Sequence, residues 1–251
     1  MPKQTLLVIP GFGMNGKMLE DVVSVFKKIC DISFLELPGF HPDHPAPANP
    51  TLESYTRNIR NQVKQINPKS YILSGLSMGF MIANNLPHDP KCKGIIAIMP
   101  YLGYNTLKLS LITLTEARLA TRILSFPPAA KKIWKSEFHR KISLETLNSE
   151  QLKIREEKFD PVNYFRLANY LLAIKEIKIR KDYPIVLMAS RKDEMLNYEY
   201  LINTFKFKRE AAKLMISDID AGHYPKNLTK EHVKDAISPE EIKKIYKFLG
   251  V

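Results

Sequence analysis

The stretch from Tyr71 to Pro87 constrains this chain more than any other. A short apolar run, Tyr71-Ile72-Leu73-Ser74, ends at Gly75. Ser77 sits between Gly75 and Gly79, and a helix-like segment follows and stops before Pro87. Strand, sharp turn and helix form the setting in which G-x-S-x-G carries chemistry. Glycines two places before and after the serine let strand and helix approach without side-chain clash. The hydroxyl then projects from the sheet edge. The helix N-terminus behind it offers unpaired N–H groups and a positive dipole end to a developing negative charge. The competing reading is a glycine-rich turn whose serine only caps a helix.

Upstream, Thr5 to Ile9 reads as a buried strand of a parallel sheet, and Pro10-Gly11-Phe12-Gly13-Met14-Asn15-Gly16 follows it. So many glycines after a strand mark a tight loop that approaches something closely. Beside an activated serine, such a loop supplies the second backbone donor for an oxyanion, here the N–H of Phe12, with the first on Met78. The same residues also fit G-x-G-x-x-G, a phosphate-binding pattern in which Glu36 would hold a ribose. Against that, Leu37-Pro38-Gly39-Phe40 follows Glu36 where a dinucleotide fold needs a helix.

The remaining alternation is regular as far as residue 100. Lys17 to Ile29 is amphipathic, Asp31 to Leu37 is a second strand, and Thr51 caps a helix to Asn67. The third strand is Tyr71 to Ser74 and the fourth Gly94 to Met99. His41 and His44 lie in a proline-rich loop and read as loop residues rather than metal ligands. Between Tyr101 and Asp182 the alternation breaks, and helices are expected over Leu107–Leu124, Ala129–Arg140, Leu144–Lys158 and Pro161–Ile177. A strand from Pro184, a last strand over Lys213–Ile216 and a helix capped by Ser238 complete the chain.

Composition narrows the setting. The N-terminus enters a strand after too short an apolar region for a secretory leader, and no apolar run approaches the ~20 residues that span a bilayer. Cys30 and Cys92, far apart and without metal spacing, read as buried small residues in a reducing cytoplasm. The net charge of +12 favours an acidic macromolecule or an anionic surface as partner.

Strand, glycine loop, Glu36-Leu37-Pro38-Gly39-Phe40, helix, strand and Gly75-Leu76-Ser77-Met78-Gly79 together resemble the α/β-hydrolase superfamily. The likeness is greatest to the small lidded carboxylesterases that include the pimeloyl-carrier-protein methyl esterase of biotin synthesis. Pro10 stands where that family has histidine, and Phe80 where it has a small residue. The family's two opening antiparallel strands are not expected.

The resemblance implies an α/β fold with a mostly parallel six-stranded sheet and helices on both faces. Residues 1–100 and 183–251 would form the core, and residues 101–182 an inserted helical lid. It implies that Asp193, nine residues after Pro184, is the acid and His223 the base of a triad with Ser77. Their order along the chain suits an elbow enzyme. Serine in that place argues against the dehalogenases and epoxide hydrolases of the fold, which use a carboxylate there. No metal or organic cofactor is implied.

The activity implied is hydrolysis of a carboxylic ester through an acyl-enzyme. Thioester hydrolysis, acyl transfer, C–C bond hydrolysis on the same triad and a non-catalytic binding role are the alternatives. Phe12, Tyr101, Trp134 and Phe138 are the expected substrate contacts. From Tyr101 to Asp182 there are 16 Lys or Arg against 9 Asp or Glu, an excess of +7. Lys131, Lys132, Lys135, Arg140 and Lys141 cluster there, which suits an acidic acyl-carrier protein delivering a carrier-bound ester. An anionic membrane surface is the rival partner, a solvated helix face is the plain alternative, and nucleic acid is not expected.

Overall fold

A computed structural model describes residues 4–27, 29–208, 213–229 and 236–251. Residues 1–3, part of the stretch read as too short for a leader, lie outside the described residues, as does Lys28 in the first expected helix. Strands β1 (Gln4–Ile9), β2 (Cys30–Phe34), β3 (Tyr71–Leu76), β4 (Cys92–Ile98), β5 (Ile185–Ala189) and β6 (Leu214–Asp218) form one sheet in the order β2-β1-β3-β4-β5-β6. Every neighbouring pair is parallel, so the sheet is wholly rather than mostly parallel. Strands β1, β3 and β5 carry continuous apolar runs because both of their faces are covered.

Helix α1 (Gly16–Val23) joins β1 to β2, α2 (Leu52–Ile66) joins β2 to β3, and α3 (Met78–Asn85) joins β3 to β4. The chain runs outward from β1 to β2, then reverses past β1 to reach β3. Right-handed crossovers therefore put α1 on one face and α2 and α3 on the other. The reversal leaves a crevice at the carboxyl ends of β1 and β3, the usual place for a ligand in an open α/β sheet. The glycine loop after β1 and Ser77 after β3 both lie there.

Five helices lie between β4 and β5: α4 (Leu111–Leu124), α5 (Pro127–Trp134), α6 (Glu137–Ser143), α7 (Ser149–Lys158) and α8 (Pro161–Ala173). Helices α9 (Tyr198–Lys208) and α10 (Pro239–Leu249) complete the described chain. The expected helices of this insertion are shorter, and one divides. Ala129–Arg140 breaks at Lys135 because Ser136 accepts the His139 N–H and caps a helix of its own. Leu144–Lys158 starts late because Asn148 and Gln151 form a capping box. Leu107 pairs with Leu196 instead of opening α4, and Ile177 bonds to Leu102 instead of ending α8. In the core, α1 stops at Val23 and passes into a tight turn over Ser24–Phe26. Both cysteines are buried, and no helix among the described residues is long and apolar enough to cross a membrane.

The insertion is fastened to the sheet by buried polar contacts. Asn163 of α8 donates to Pro38 O at 3.3 Å and to the Tyr55 hydroxyl at 2.9 Å, and that hydroxyl donates to Pro38 O at 3.0 Å. Asp160 caps α8, and its own N–H donates to Gly39 O at 2.8 Å. A side chain on Gly39 would collide with Asn163. Asn163→Ala is therefore expected to remove the buried amide that bonds Pro38 O and the Tyr55 hydroxyl, leaving that hydroxyl only its bond to Pro38 O. The cost is about 2 kcal/mol, read as a fall in Tm of roughly 4–8 °C by calorimetry.

Candidate active site

Ser77 occupies the turn between β3 and α3 with φ 50° and ψ −115°, a conformation disfavoured for a residue with a side chain. The surroundings impose it. The Ser77 N–H donates to Ile98 O at 2.9 Å, and Ser77 O accepts from Phe80 N at 3.1 Å and Tyr101 N at 3.2 Å. Both flanking glycines are required by close approach. A Cβ on Gly75 would stand 2.5 Å from Phe80 N, and one on Gly79 would run into the Ile9 carbonyl.

The loop after β1 lies against this turn, since a Cβ on Gly11 would be 3.4 Å from Ser77 Cβ. Asn15 ends the loop by capping α1. Both carboxylate oxygens of Glu36 accept the Gly16 N–H, at 3.0 and 3.1 Å. Burial pushes the Glu36 carboxyl up in pKa, and the Gly16 hydrogen bond opposes that. Glu36 thus occupies the helix end that a dinucleotide phosphate would need.

His223 reaches Ser77 from the loop after β6. Its Nε2 is 3.1 Å from Ser77 Oγ, and its Nδ1 is 2.9 Å from Asp193 Oδ2. A carboxylate accepts, so Nδ1 carries the proton and Nε2 is left to accept from the serine hydroxyl. Asp193 is 2% exposed and His223 8%. The other carboxylate oxygen of Asp193 accepts from the N–H groups of Met195 and Leu196, at 2.8 and 2.7 Å. Asp218 and Asp220, nearer to His223 in sequence, are engaged elsewhere, by Tyr198 and Lys192. Glu194 accepts the His223 backbone N–H at 2.6 Å and the Asn227 side chain at 2.6 Å, which fixes the histidine loop.

A cavity of about 210 Å³ opens over Ser77 and His223. The glycine loop with Phe12, Met195, Tyr224 and Pro225 line one part of it; Thr146, Leu147, Arg155 and Tyr164 of the insertion line the rest. Of the expected substrate contacts only Phe12 is in this wall. Tyr101 is buried behind it, its hydroxyl donating to Leu171 O at 2.9 Å. Trp134 stacks on His139 at 4.8 Å and packs behind Tyr164. Phe138 points outward and is 66% exposed.

The lysines Lys131, Lys132, Lys135 and Lys141, with Arg140, are all exposed. Arg155, Tyr164 and Glu194 were not expected as site residues. A charged side chain on the buried stripe of α7, beside Gln151 and Leu152, was the signal for Arg155.

No protein-family model matches the sequence, and no curated protein does. Solved structures do. An epoxide hydrolase from Bacillus megaterium in complex with an inhibitor is 13% identical, with TM-score 0.69, over 99% of this chain and 94% of that one. A thermophilic esterase from Thermogutta terrifontis, malate bound, is 15% identical, with TM-score 0.66, over 99% and 91%. An enol-lactonase from Burkholderia xenovorans is 12% identical, with TM-score 0.66, over 100% and 93%. The chain has the α/β-hydrolase fold.

Within the insertion, Arg155 Nη2 donates to His139 Nε2 at 2.8 Å. Burial, and then the Arg155 charge, push the His139 imidazole down from 6.5 to about 4. A histidine depressed on folding is neutral in the native state at neutral pH. The contribution it makes is present above 6.5 and is lost as pH falls toward 4. The His139 ring resonances are expected to stay constant from pH 8 to 5.5 in ¹H–¹⁵N spectra and to shift only below that. A midpoint near 6.5 would contradict the buried Arg155–His139 bond.

Proposed function

We propose that this protein is a serine hydrolase that cleaves a carboxylic ester through an acyl-enzyme. The observation that carries the reading is the hydrogen-bonded chain Ser77–His223–Asp193 in the wall of a small cavity. A serine hydroxyl is a weak nucleophile until a base takes its proton. In this reading Ser77 Oγ attacks the ester carbonyl as His223 Nε2 accepts the hydroxyl proton. Asp193 holds the imidazole and stabilises its cation. The tetrahedral intermediate collapses, the C–O bond to the alcohol breaks, and the alcohol leaves with the proton from His223. Water, deprotonated by the same nitrogen, then frees the acid.

The developing oxyanion would be received by the N–H groups of Phe12 and Met78, each contributing on the order of 3 kcal/mol. Two observations support that assignment. The glycine loop lies against Ser77, and no side chain caps α3. The helices over residues 101–182 act in this reading as a lid, because they supply part of the cavity wall.

The same three residues serve thioester hydrolysis, acyl transfer and C–C bond hydrolysis. The esterase and enol-lactonase among the structural neighbours favour the ester. The epoxide hydrolase neighbour does not extend its chemistry here, because a serine rather than a carboxylate stands at the elbow.

A fluorophosphonate probe is expected to label the wild-type chain at Ser77 and to leave Ser77→Ala unlabelled. The substitution should lower kcat roughly a million-fold on methyl or p-nitrophenyl esters, as removal of a triad serine can. Near-normal turnover in pure Ser77→Ala protein would overturn the reading, and a wild-type chain that the probe ignores points to a non-catalytic binding protein.

The finer reading, an ester delivered on an acidic acyl-carrier protein as in biotin synthesis, is supported by the exposed basic cluster Lys131, Lys132, Lys135, Arg140 and Lys141. Exposed charges of this kind mainly steer encounter, and salt screens them over about 8 Å near physiological ionic strength. For a carrier-bound ester, kcat/KM should fall steeply with salt and again in the Lys131→Glu, Lys132→Glu, Lys135→Glu triple variant, relative to a free neutral ester. Equal effects on both substrates would reduce the cluster to a solvated face.

A further inference from the structure

Among the described residues, Arg155 is a buried charge without a counter-charge. It is 7% exposed and lines the cavity that holds Ser77 and His223. No carboxylate among the described residues forms an ion pair with it. Among the described residues, its one side-chain hydrogen bond goes to the neutral His139 and its buried Nε has no partner. Two aromatic faces flank it, Tyr164 at 4.6 Å and Trp134 at 5.0 Å from the guanidinium carbon to the ring centre. Such faces favour a cation, but they do not replace an anion.

A lone buried charge destabilises a protein, and removing a partner from a buried pair is strongly unfavourable. A chain that keeps one beside its nucleophile has a use for it. The guanidinium is a planar fork, always protonated, that matches a carboxylate with two parallel hydrogen bonds. The contacts with His139, Trp134 and Tyr164 hold that fork in place before any ligand arrives.

We propose that Arg155 is the anion anchor of this site and that the acyl group cleaved here carries a second, ionised carboxylate. The substrate class is the half-ester of a short dicarboxylic acid. Size agrees with charge: about 210 Å³ is smaller than the roughly 300 Å³ at which pockets for drug-sized ligands begin. One end of a short chain lies at Ser77 and the other at Arg155. Hydrolysis then releases the alcohol and a free dicarboxylate, with water supplying the OH to the acyl carbon and the proton to the alcohol. This inference rests on the ester-hydrolase reading. It favours a free half-ester over a carrier-bound methyl ester, whose acyl chain ends in no free carboxylate.

The test compares monomethyl glutarate with methyl butyrate, a neutral ester of similar length, by pH-stat on the full chain. Wild type should prefer the half-ester in kcat/KM by roughly 10- to 100-fold, the size of a charge-assisted pair of hydrogen bonds. Arg155→Gln should abolish that preference, and Arg155→Lys should retain part of it. A purely structural Arg155 would lower both substrates together and leave their ratio unchanged. Should Arg155→Gln not fold, the wild-type ratio and the lysine variant decide.

Calorimetric binding to Ser77→Ala separates this inference from the reading beneath it. Binding of monomethyl glutarate but not methyl butyrate, with no turnover by wild type, would keep the anion anchor and remove the hydrolase. Equal handling of the two esters by wild type, or a preference that survives Arg155→Gln, overturns the anchor.

Discussion

The site depends on how closely α3 and β3 can cross β1. Ser77 holds a backbone conformation that costs on the order of 1–3 kcal/mol, and it persists only because its neighbours over-determine it. Gly79 lies against the Ile9 carbonyl and Gly75 against the backbone of Phe80. With a methyl group in either place the turn opens and Ser77 Oγ moves away from His223. The glycine loop after β1 comes within reach of the serine through the same approach. Ser77 and the candidate oxyanion donors thus share one packing constraint at the switch point of the sheet.

That constraint explains which parts were legible in the sequence. Ser77, Asp193 and His223 lie past the carboxyl ends of strands, and the structure brings His223 within hydrogen-bond reach of both Ser77 and Asp193. Gly75, Gly79 and the glycine loop leave a mark because no other residue fits such close backbone approaches. The cavity wall leaves none. It depends on how five helices fold over the sheet, and helix periodicity does not say which helix face meets which neighbour. Phe138 and Trp134 lie four residues apart, yet a helix break at Lys135 and Ser136 falls between them, and one is exposed while the other is buried. The signal for that break, Ser136 before Glu137, is a cap within the run Ala129–Arg140 read as continuous, as Asn148 before Gln151 is within Leu144–Lys158.

Charge shows the same division between count and placement. The excess of basic residues in the insertion is a single number in the sequence and two different physical situations in the fold. Lys131, Lys132, Lys135, Arg140 and Lys141 are hydrated, and each interacts weakly with its surroundings. Arg155 is 7% exposed and lines the cavity, so its charge is screened by water less than theirs. The first group can shape how a partner arrives. Only the second can act on what sits beside Ser77.

The insertion is also tied to the loops that carry Asp193 and His223. The Lys108 ammonium donates to Asp193 O at 2.5 Å, its N–H donates to Met195 O at 2.8 Å, and Leu107 pairs with Leu196. On the histidine side, Gln151 donates to Pro225 O at 3.0 Å and Lys226 N to Thr146 O at 3.1 Å. Gln151 and Arg155 stand one turn apart on α7, so the helix that presents the guanidinium also braces the loop after His223. A displacement of α7 large enough to move Arg155 would strain that loop. The turn of α7 that carries Arg155 thus also holds the loop after His223 through Gln151.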